Sequence, residues 1–180
     1  MQDQICSAAE LVGALDALDV PFLTNGAQTE RALALTPAEL LQGLAQSSEA
    51  RVRSAIIPLL LRHPEFADGA RLATARLQGQ PQFTLELFYT AALLLQKKYA
   101  ARLARLFGAQ ETLSDLFSAT LQIELTNDVE QALACVGERH TLLSGLRMNW
   151  TGGYEHAART WLDYVEFRAR RKRERTWQTA

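Results

Sequence analysis

The sequence predicts an all-α fold: a single compact domain of seven or eight helices, an irregular stack or bundle around one central apolar helix at about residues 82–107. Three observations carry this. Apolar side chains recur at three- and four-residue spacing along nearly the whole chain. Strand-like alternation barely occurs. No Gly-, Ser- or Pro-rich linker divides residues 1–180, so one domain is expected throughout.

The first helix is expected over 3–19, where Ile5, Ala8, Ala9, Leu11, Val12, Leu15 and Leu18 share one stripe. Val20-Pro21-Phe22-Leu23 reads as a short extended piece closed by the turn-prone Asn25-Gly26. The next helix has Thr36 as N-cap, Pro37 at its first position and Glu39 completing a capping box. A third runs from about Ser48 toward Arg62, kinked by Pro58, which lacks a backbone donor, and ended by His63-Pro64. A shorter helix follows over 65–78 and is broken by Gly79-Gln80-Pro81. Residues 82–107 start apolar on nearly all sides and then gain Lys97, Lys98, Arg102 and Arg105, which marks the helix others pack against, with Gly108 as its cap. Helices at about 111–124 and 127–144 follow, the second opened by Thr126 with Asp128 and Glu130 in its first turn. After a loop over 145–153, the last helix, 154 to about 174, sets Tyr154, Ala157, Ala158, Trp161, Leu162, Val165 and Ala169 on one face.

Composition excludes several classes. At 48% hydrophobic and 22% charged, the chain is neither disordered nor collagen-like, and a net charge of −1 spreads no strong field over the whole molecule. Cys6 and Cys135 make no disulfide framework and are expected as free thiols. The start, Met1-Gln2-Asp3-Gln4, has neither a positive n-region nor a long apolar stretch behind it, so no signal peptide is expected. The longest apolar run, Phe83 to Leu95, carries Glu86 and is too short to span a bilayer. A soluble cytoplasmic protein is the expectation.

The stretch Ser48-Glu49-Ala50-Arg51-Val52-Arg53-Ser54-Ala55-Ile56-Ile57-Pro58-Leu59-Leu60 resembles a HEAT-type helical repeat in its Val-Arg pair, the small residue two places on and its leucine-rich second half. The resemblance covers residues 38–78, with no second copy at the spacing of such arrays. It implies protein binding rather than chemistry. Leu11 to Ala27 is similar to the opening helix and strand of some nucleotidyltransferase domains. Residues 28–37, however, carry neither the Gly-Ser loop nor the Asp-x-Asp that such an activity needs to hold its metal.

Catalytic and metal motifs do not appear. His63, His140 and His156 form no Glu-x-x-His or His-x-x-x-His pair, and Cys135 lies five residues from His140, off its helix face. Glu111 with Asp115, and Glu124 with Asp128, are four apart but sit near helix starts, where acids are ordinary dipole partners. There is no nucleophile elbow, P-loop or dinucleotide fingerprint. No cofactor is expected, and the chain reads as a non-enzyme; an enzyme site assembled from dispersed residues is a third reading that spacing cannot see.

Two segments remain as candidate surfaces. In the loop 147–154, Arg147, Asn149, Trp150 and Tyr154 surround two glycines that let a backbone approach closely, and they are expected to bind a partner protein. The alternative for this loop is that Thr151 caps the last helix and Trp150 packs as a hydrophobic staple. The basic helix end at 166–177 carries Arg168, Arg170, Arg171, Lys172, Arg173 and Arg175 against Glu166 and Glu174. Residues 166–180 therefore sum to +4 and leave −5 on residues 1–165. Such an end suits an acidic protein or a nucleic acid, with Trp177 placed to stack, although basic residues are favourable at any helix C-terminus. The leading expectation is a scaffold or regulator that binds another protein. The alternative is a nucleic-acid-associated regulator, and a second copy of the chain is a further candidate partner.

Overall fold

The computed structural model describes residues 6–23 and 29–178. The Ile5 end of the first helix and the Asn25-Gly26 turn lie outside the described residues. The fold is all-α, and eight of its helices have seven residues or more. They are α1 (Ala8–Ala17), α3 (Pro37–Gln46), α5 (Ile56–Arg62), α6 (Ala67–Arg76), α7 (Gln80–Lys98), α8 (Ala100–Phe107), α10 (Val129–Ser144) and α11 (Trp150–Gln178). Three shorter ones join them: α2 (Glu30–Leu33), α4 (Ala50–Ser54) and α9 (Ser118–Leu121), with a 3-10 turn at Pro64–Phe66. Among the described residues no helix is long and apolar enough to cross a membrane.

The centre is α7. Every residue from Leu85 to Gln96 is buried, because α3, α5, α6, α8, α9, α10 and α11 all touch this helix. Helix starts follow local chemistry. Ser7 and Thr36 each cap a helix and receive Glu10 and Glu39 in return, the expected capping box for the second of them. The Glu39 carboxyl is held below its ordinary range by the hydrogen bonds from Thr36.

Four expectations are corrected. The helix over 48–62 is not one kinked rod but α4 and α5, parted at Ala55; Pro58 then falls in a first turn, where a missing N–H leaves no helical bond unmade. The central helix ends at Tyr99, whose ψ of 15° turns the chain into a separate α8. Asp128, not Thr126, caps α10, accepting from the backbone of Glu130 and Gln131. Residues 111–124 are largely not helical, and only α9 forms there. The reason is long-range. Buried Gln96 of α7 accepts from Leu113 N at 2.8 Å and donates to Glu111 O at 2.9 Å, while Tyr89 donates to Ser114 O at 3.0 Å. Side chains of α7 thus satisfy the backbone that a helix would have satisfied, and Leu113 and Phe117 still reach the core.

Helices α3 and α6 approach closely at Gly69. A Cβ there would stand 2.8 Å from Pro37 Cβ and 3.2 Å from the Ala38 amide nitrogen. Gly69→Ala is expected to cost about 1–3 kcal/mol in urea unfolding, because backbone cannot step aside. Gly43→Ala should cost less, since its Cβ would meet only the end of the flexible Leu11 side chain.

Candidate functional site

The structure separates the residues of the loop 147–154. Helix α11 begins at Trp150, four residues earlier than expected, with Asn149 Oδ1 accepting from Gly152 N at 2.9 Å. Asn149, rather than Thr151, closes the first turn; Thr151 Oγ1 instead donates to Leu133 O at 3.3 Å. Arg147 and Asn149 are exposed. Tyr154 is not: at 1% exposure it belongs to the core and cannot line a partner surface, because the earlier start places it on the inward stripe of α11 with Ala157, Ala158 and Trp161. Trp150 is half-buried.

What these two rings surround is His140, near the C-terminal end of α10, which the sequence offers only as a histidine without metal-ligand spacing. Its imidazole stacks on Trp150 at 3.5 Å between ring centroids and 10° between planes, and meets the edge of Phe88 from α7. Its Nδ1 is 2.6 Å from Tyr154 Oη, and Trp150 Nε1 donates to Leu146 O at 3.2 Å. Burial is the main force on both titratable groups: it drives His140 down to about 4, with the Arg53 charge adding, and pushes the Tyr154 phenol up. The imidazole is therefore neutral at pH 7. The helices meet this tightly because Gly137 has no side chain; a Cβ there would lie 2.6 Å from Thr151 Oγ1.

The basic end lies on the far half of the same helix. With 29 residues, α11 is about 43 Å long. Its buried stripe ends at Leu162, and beyond it the helix overhangs a groove of about 1100 Å³. Leu106, Phe107 and Val165 supply apolar lining, while Arg62, Arg168, Arg171 and Lys172 are its cations and Asp19, 3.5 Å from Arg168, its one acid among the described residues. A stack ties the floor together: the Arg62 guanidinium lies 4.7 Å over Phe107, which stacks on Trp161 at 5.6 Å. Two large rings on α11 stay exposed, Tyr164 at 45% and Phe167 at 54%, with Arg168 and Arg171 over them at 5.9 and 5.5 Å. Arg170 is exposed, and the side chains of Arg173, Arg175 and Trp177 lie outside the described residues.

Ion pairs fix the position of this overhang. Arg102 holds Asp163 at 2.7 Å and Glu166 at 3.0 Å, and Arg105 adds a bond to Glu166 at 2.8 Å. The bond from Arg102, then that from Arg105, keeps the Glu166 carboxyl below its ordinary range. Glu166 thus serves α8 and leaves Arg170 unpaired with it, contrary to the simple four-residue spacing. Nearer the start of α11, Lys98 bridges Glu130 and Glu155.

Among the described residues no group of three His, Cys, Asp or Glu side chains could hold a metal ion, and Cys6 and Cys135 are free, half-buried thiols. Compared with protein-family models, curated proteins and solved structures, the chain matches none of them.

Proposed function

We propose that this protein is a non-enzymatic binding module whose working surface is the groove under the far half of α11, and that it takes an acidic, amphipathic segment of a partner protein. One observation carries the reading: an apolar floor of Leu106, Phe107 and Val165 is bordered by four cations and one acid. An amphipathic helix with carboxylates flanking its apolar face is the complement of such a surface. The exposed rings of Tyr164 and Phe167 add apolar area that a partner would cover. Arg147 and Asn149 are exposed at the other end of α11, and in this reading they play no part.

The test is capture from nuclease-treated extract with the full chain and with the Arg168→Glu/Arg171→Glu double variant. The expected result is a stoichiometric protein held by the parent chain and weakened at least about tenfold, or 1.4 kcal/mol, by the double variant. The melting temperature should shift only slightly, since both side chains are exposed and the Arg168–Asp19 pair, at 3.5 Å, is a surface one. Equal capture by both chains removes the groove from the function.

A second reading has its own support. Guanidinium groups over exposed aromatic rings also suit single-stranded nucleic acid, where bases stack and phosphates pair with arginine. Its mark is a steep fall of binding with salt and loss of the captured material on nuclease treatment.

A further inference from the structure

At the opposite end of α11 a second hollow, of about 210 Å³, lies where the C-terminal end of α3 and the start of α7 meet α4, α10 and Trp150. Its walls include Arg53, Gln80, Thr84, His140, Ser144 and Trp150, and no Asp or Glu. The hollow has room for a phosphate group or a short dicarboxylate.

Tyr154 Oη has no hydrogen-bond partner among the described residues besides His140 Nδ1. With the phenol donating to Nδ1, the proton of the fully buried hydroxyl is satisfied, and the proton of the neutral imidazole sits on Nε2. That Nε2–H has no protein acceptor among the described residues, and His140 lines the hollow. Arg53 gives Nη1 to the carbonyls of Ser47 and Ser48 at 2.7 and 2.9 Å, and no carboxylate among the described residues pairs with its charge. The 19-residue α7 starts at the same place without a side-chain cap, so its positive end adds to the field.

We propose that this hollow binds a small oxyanion, a carboxylate or phosphate group, held by the Arg53 guanidinium and the Nε2–H of His140 beside the Trp150 ring. The site is independent of the groove: it shares no residue with it, and either can be lost without the other.

The test is a titration of the full chain at pH 7 with inorganic phosphate, and separately with succinate, against chloride at constant ionic strength. Trp150 fluorescence and the imidazole resonances of His140 are followed. The expected result is a saturable change in both with at least one of the two anions, at a Kd of about 1–10 mM, together with a His140 titration midpoint raised by about one unit on saturation. Arg53→Gln should weaken binding about tenfold, and Arg53→Lys, which keeps the charge, should restore part of it. Arg168→Glu/Arg171→Glu should titrate like the parent chain. Changes that never saturate, a His140 midpoint that ignores the anion, or an Arg53→Gln chain that titrates unchanged would each overturn the site. The phosphate and succinate arms tell which class of oxyanion it prefers.

Discussion

Tyr154→Ala is expected to destabilise the protein by about 3–5 kcal/mol, the range for removing a fully buried aromatic side chain. The ring fills the junction of α7, α10 and α11, edge-on to Phe88 at 5.3 Å, and its hydroxyl is the partner of His140 Nδ1. Truncation opens a cavity between three helices and leaves a buried imidazole nitrogen unpaired, so both penalties act together. Tyr154→Phe keeps the volume and should cost only about 1–3 kcal/mol. Trp150→Ala should fall between them, because its half-buried ring stacks on His140 from outside the core. Urea unfolding decides this: a midpoint for Tyr154→Ala close to that of the parent chain, at equal slope, would refute the core role of this ring.

Acid should weaken the same junction. Burial places His140 at about 4, against 6.5 for an ordinary histidine. Between those values the unfolded chain takes up a proton that the folded chain refuses, so stability falls as pH drops through that window and levels off below about 4. The full loss from this one group is about 3 kcal/mol, at 1.36 kcal/mol per unit. Glu86, buried on α7, acts with the opposite sign. Its carboxyl is raised by desolvation, so its contribution is present in acid and lost as pH rises through its folded value. A comparison with His140→Leu isolates the imidazole. Denaturation of both chains at pH 7, 5.5 and 4.5 should show the parent losing stability faster; parallel curves would mean that His140 is not the buried neutral group described here.

Much of the fold was legible because most of its signals are local. Thr36-Pro37-x-Glu39 announces α3, Gly79 announces the break before α7, and the long apolar run from Phe83 to Leu95, broken only by Thr84, Glu86 and Thr90, announces the centre. What failed was set at a distance. Nothing in Lys98-Tyr99-Ala100 reads as a helix end, and the segment 111–117 has helical spacing but is held open by Gln96 and Tyr89 from a neighbouring helix. The same holds for the sites. The basic end of α11 could be read from its charge run, yet the groove needs Arg62 and Phe107, which stand 45 residues apart, the second of them 58 residues before Val165. His140 and Tyr154 stand fourteen residues apart across a helix start, a separation that no helical period joins. An isolated histidine beside a Gly-Gly loop carries no mark of burial until α7 supplies Phe88.

The position of α11 in chain order has a consequence for biosynthesis. Translation releases helices from the N-terminal side, so α5, α7 and α10 leave the ribosome before the helix that covers them. Until Trp161 and Tyr154 arrive, Phe107 lacks its stacking partner and Phe88 its edge-on contact with Tyr154, and the flank of the most apolar helix faces solvent. Docking of α11 is then the event that covers this apolar flank. Chains interrupted before residue 150 keep that flank open.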